Sequence, residues 1–156
     1  MLMSFSLFIS AQPCVPSEYS FNSAGDYRIH KNRAEECMDW LLKKPMHKKP
    51  EIRAELTAYC MLWLSGAPND KVYLFSELLP AGDTNPELMF LYAMALHRQK
   101  QKHPEYSDLE LQVAALNKVA KTAKKSKGLV QNEALVEFLK ITKSGELSAW
   151  VESRFK

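Results

Sequence analysis

The sequence predicts an all-α fold, and three observations carry that reading. From Ala34 onward apolar residues recur three and four apart, the spacing that lines one face of a helix. Pro and Gly fall between those stretches, where they stop one helix and open the next. The 156 residues are 46% hydrophobic and 25% charged, the balance of one globular domain with its own core. Five Gly and eight Pro exclude collagen-like and low-complexity chains, and three Cys are too few for a disulfide scaffold.

Residues 1–11 form an apolar run in which Leu2, Met3, Phe5, Leu7, Phe8 and Ile9 are separated mainly by serines. The run is too short to span a bilayer as a helix. It suits the apolar part of an export signal, and Ala11 offers a small residue before a cleavage point ahead of Gln12. No Lys or Arg precedes Arg28, so the basic leader is missing and the run reads as a signal remnant. The competing reading is an apolar arm packed on the domain. A lipoprotein signal ending at Cys14 is disfavoured because Pro13 stands where a small residue belongs. Residues 12–29 are polar, carry two Pro and no steady period, and read as a tether. Residues 30–156 are expected to form a single helical domain.

Within that domain, Ala34, Cys37, Met38, Leu41 and Leu42 form the first inward stripe, which stops at Pro45. Pro50 takes a first-turn position, and Ile52, Leu56, Tyr59, Cys60 and Trp63 form the second stripe, which stops at Gly66. Together they predict a helical hairpin. Residues 72–79 are expected to be a short helix, because a lone strand would find no partner. Asn85-Pro86-Glu87 reads as a helix start with Asn85 as cap. The following nine residues, 88–96, are uncharged, so this helix belongs at the centre of the domain. Leu109, Val113, Leu116, Ala120 and Ala123 mark the next helix, capped by Ser107 or Asp108 and ending near Gly128. Residues 129–141 and 146–154 complete a total of seven expected helices.

The net charge of +3 falls short of the excess that announces a nucleic-acid binder, and none is expected as partner. No phosphate loop, zinc-protease helix, nucleophile elbow or dinucleotide fingerprint is present, so no catalytic residue, cofactor or metal is expected. His30, His47, His97 and His103 are scattered, and all four are expected on the surface. The carboxylate pair Glu51 and Glu55 sits one turn apart, as solvated helix faces often show. Cys37 and Cys60 fall at equal height on the two arms of the first hairpin. They are expected either as a disulfide, whose loop of about two dozen residues is worth ~3 kcal/mol, or as two buried thiols. Lys118, Lys121, Lys124 and Lys125, with Lys127, form the one local basic face; they suit the negative end of a helix dipole and could also meet an acidic partner.

Two resemblances add to this. Met89, Tyr92, Ala93 and Leu96, followed by Ala115, Val119 and Thr122, are similar to a tetratricopeptide-type helical hairpin, though the connection at 97–108 is longer than that family allows. The segments Cys37-Met38-Asp39-Trp40-Leu41, Trp63-Leu64-Ser65-Gly66-Ala67-Pro68, Asn85-Pro86-Glu87-Leu88 and Lys143-Ser144-Gly145-Glu146-Leu147 with Trp150 resemble uncharacterised small exported proteins of the Bacteroidetes, whose signals often end as Ala11-Gln12 does. That resemblance implies a periplasmic or secreted helical domain and brings no activity with it. The expected function is non-enzymatic binding of another protein, through a groove where helical hairpins stack. The second expectation is an immunity-type inhibitor of a toxin delivered to the periplasm.

Overall fold

The architecture is all-α: six helices and two single 3-10 turns, with no strand among the described residues. The computed structural model describes residues 12–155, so the expected signal remnant at 1–11 lies outside the described residues. Helices α1 (Ala24–Lys43) and α2 (Pro50–Gly66) form the predicted antiparallel hairpin. Helix α3 (Pro86–Lys102) packs most extensively on α4 (Asp108–Lys125), and α5 (Glu133–Ser144) and α6 (Leu147–Arg154) close the far side of α4.

The helix starts follow local chemistry. α1 begins at Ala24, inside the stretch expected as a tether, because Ser23 and Asp26 form a reciprocal capping box. Ser23 Oγ accepts from the Asp26 N–H, and the Asp26 carboxylate accepts from the Asn22 and Ser23 N–H groups at 2.8 and 2.9 Å. Ser107 and Glu110 repeat the device at α4. Asn132 caps α5 through the Leu135 N–H at 2.9 Å, so that helix starts at Glu133 rather than at residue 129.

Six helices form where seven were expected. Residues 71–75 are irregular, and 3-10 turns Ser76–Leu78 and Pro80–Asp83 replace the predicted helix at 72–79. Pro80 supplies no N–H and drives Leu79 out of the helical region, to φ −141° and ψ 63°. Backbone carbonyls that a helix would have used are taken by side chains: Lys100 Nζ donates to Lys71 O and Gln112 Nε2 to Tyr73 O. Leu78, Leu79 and Ala81 are still buried, so the segment closes the core without being helical.

Asn85 does not cap α3 with its side chain. It is buried and bonds the far connection instead, accepting from the Val130 N–H at 2.8 Å while its amide reaches Val130 O at 3.2 Å and Ala81 O at 3.3 Å. Residues 12–22 run back along the α1–α2 hairpin. Tyr19 and Phe21 pack against His30 and Tyr59, with ring centroids 5.0 to 6.3 Å apart. At the other end Pro13 is buried and Gln12 Oε1 accepts from Lys49 Nζ at 2.6 Å. One core unites Met38 and Leu41 of α1, Leu56 and Trp63 of α2, Leu88 and Met94 of α3, and Leu116 and Val119 of α4. As its uncharged sequence predicted, α3 lies at the centre, but Phe90 stays exposed.

Candidate functional site

Cys37 and Cys60 are brought together by the hairpin. Both are fully buried, and their thiols are free and lie beside each other. Cys60 Sγ also lies 3.5 Å from Ala34 O. The sulfur partnership draws the Cys37 thiol below its ordinary value and pushes Cys60 above it, burial adding to the second effect. Cys14 is a free, exposed thiol on the segment that crosses the hairpin.

The basic residues of α4 divide. Lys118 is half-buried and lies near Lys102 and Asp39; burial first, then Lys102 and Lys121, lower its affinity for a proton. Lys121, Lys124 and Lys125 are exposed, and Lys125 Nζ donates to Lys43 O at 3.1 Å, closing the carboxyl end of α1.

His97 corrects the expectation that all four histidines are on the surface, because it is fully buried. It stands against Trp63, ring centroids 5.2 Å apart, in a charged cluster that joins α1, α3 and the connection after α2. A carboxylate only accepts, so His97 Nε2 donates to Glu35 Oε1 at 3.1 Å. Its Nδ1 has no hydrogen-bond partner and lies 3.7 Å from Asp70 Oδ1. Arg98 holds Asp39 through two 2.9 Å bonds and Glu35 through a third. Lys31 bridges Glu35 and Asp70, each at 3.3 Å, and Gln101 Nε2 donates to Asp70 at 2.8 Å. Burial alone would raise Glu35, yet His97, Arg98 and Lys31 together hold it below the usual carboxylate range. The cluster's carboxylates and cations are turned on one another. Its role here is to pin the connection after α2 to the helices, and its members were hidden in sequence because 35, 70 and 97 are far apart.

Open apolar surface lies elsewhere, between α2 and α3. These helices pack on each other far less than α1 packs on either, and they leave a groove of about 390 Å³. Ala54, Thr57, Ala58 and Met61 form the α2 wall at helical spacing; Phe90 and Leu91 form the α3 wall, with Met46 at one end. Ala54, Ala58 and Phe90 are exposed. Arg53 lies at the base with its charge engaged, donating to Lys44 O and Leu41 O at 3.2 Å each, so it closes α1 rather than meeting a ligand. Glu87 stands on the rim, and helical spacing puts exposed Glu51, Glu55 and Leu62 along the edge beside Ala54 and Ala58. Sequence reasoning found the stripe that faces α1 and missed this second face, because Ala and Thr carry little apolar signal. A second cavity, of about 150 Å³, lies under residues 71–75 beside Leu96, Leu111 and Phe155.

Compared with known proteins, the chain matches no family model, no curated protein and no solved structure.

Proposed function

We propose that this is a non-enzymatic, exported binding protein whose α2–α3 groove takes a helix of another protein. The observation that carries the reading is the outer face of α2, where Ala54, Thr57 and Ala58 leave room for a second helix backbone beside exposed Phe90. Pro50 to Met61 rises by about 16 Å, three turns, which sets the length of helix that would fit. An apolar stripe on that helix would meet Met61, Phe90 and Leu91, with Phe90 as the aromatic anchor such interfaces favour. Lys or Arg beside the stripe would meet Glu51, Glu55 and Glu87. Export rests on residues 1–11, whose apolar run ends in Ala11-Gln12, and places the protein in the periplasm or outside the cell.

Ala54→Arg and Ala58→Arg test the groove, since both positions are exposed and a long side chain there fills it without entering the core. A protein that co-purifies with the wild type is expected to be lost from both variants and kept by Val136→Arg on α5, with thermal stability unchanged in all three. Retention of that protein by the groove variants, or its loss from Val136→Arg as well, would contradict the reading.

A further inference from the structure

The cavity under residues 71–75 lies on the side of α3 away from the groove, since helical spacing puts Leu96 and Lys100 opposite Phe90 and Leu91. Its apolar walls are Val72, Phe75, Leu96, Leu111 and Phe155, all buried or half-buried. The Phe75 and Phe155 rings meet edge to face with centroids 5.0 Å apart, an arrangement that a further ring can extend. Its volume of about 150 Å³ is what one benzene-sized ring occupies in an apolar cavity.

Polar groups enter this lining at a few points, as in sites that orient a small ligand. Residues 71–75 cross the cavity as a strap, held by Lys100 Nζ on Lys71 O at 3.3 Å and by Gln112 Nε2 on Tyr73 O at 3.2 Å. Gln112 is 4% exposed, and its Oε1 accepts from the Tyr92 hydroxyl. Its Nε2 carries two hydrogens, and only the one on Tyr73 O has an acceptor among the described residues. The other is a buried donor in the wall of the cavity. Lys71 and Lys100 are exposed and bring two ammonium groups to the mouth, against the single carboxylate of Asp108. We infer that the cavity binds a small aromatic carboxylate, its ring among Leu96, Leu111 and Phe155 and its charge drawn to Lys71, Lys100 and the Gln112 amide. A neutral ring leaves those donors unanswered, and a cationic one meets two like charges. The inference uses no residue of the α2–α3 groove and stands apart from it.

Titration of the full chain with benzoate, followed by methyl NMR, tests it. The ring current of benzoate is expected to shift the Val72, Leu96 and Leu111 methyl signals and to leave exposed Val136 on α5 unmoved. Benzylamine, a similar ring of opposite charge, is expected to bind far more weakly. Lys71→Gln with Lys100→Gln is expected to weaken benzoate about fivefold, as the loss of two exposed ion pairs allows. Val72→Trp, at a half-buried position on the strap, is expected to fill the cavity and abolish the shifts at Leu96 and Leu111. Absence of benzoate shifts, shifts confined to other methyls, equal binding of benzylamine, or unchanged affinity in the double-lysine variant would overturn the inference.

Discussion

At His97, burial and two carboxylates pull the proton affinity in opposite directions. Burial is the larger effect and lowers it, while Glu35 and Asp70 recover part of the loss. A histidine held neutral by the fold binds fewer protons than the same residue in the unfolded chain, whose value is near 6.5. Its stabilisation is therefore complete above that value and is lost as the pH falls from it through the lower value of the folded state. Glu35, held below 4.5, adds a second loss of stability at lower pH, where the capping carboxylates Asp26 and Glu110 contribute as well. Between pH 7 and 5.5 His97 and half-buried His47, also lowered, act in the same sense. His97→Gln keeps a donor near Glu35 and cannot gain a proton. Urea denaturation across that range is expected to show wild-type stability falling with acidification, and a distinctly shallower fall in the variant. Parallel slopes would show that His97 does not titrate in this window.

At the scale of elements, the fold depends on side chains that bond backbone in distant segments. Asn85 joins the start of α3 to the connection before α5, and Gln112 and Lys100 hold residues 71–73 on α3 and α4. Asn85→Ala leaves the part-buried Val130 N–H and C=O, and the buried Ala81 C=O, without their side-chain partner. The expected cost is roughly 2–3 kcal/mol in chemical denaturation, above the ~1 kcal/mol of an ordinary lost cap. A loss no larger than that of a cap would mean that water replaces the amide. These links explain what was and was not legible in the sequence. Helix periods, Pro50, Pro86 and the Ser107 cap could be read directly, because they act within a few residues. Asn85 looked like a cap because its neighbours Pro86 and Glu87 form a helix start, and nothing local announces Val130. Residues 72–79 read as a helix only because a lone strand would find no partner, and their tertiary bonds and Pro80 make them irregular instead. Likewise, nothing near His97 in the sequence reveals Glu35 and Asp70.

Considered whole, the molecule divides its surface by chemistry. Charges near α1 and α3 are spent on one another, lysines collect at the carboxyl ends of α1 and α4, and the apolar outer face of α2 is left without a partner. Composition reported only the sum, +3, because charge separation between faces is a property of the fold. The α2–α3 groove is the central functional claim, and a photo-crosslinking residue at position 58 in the protein's own cells tests it most directly. An adduct with one protein is expected, mapped by mass spectrometry to a helical segment with an apolar stripe and flanking basic residues, with no such adduct from position 136. No adduct at position 58, or the same adduct from both positions, would contradict it.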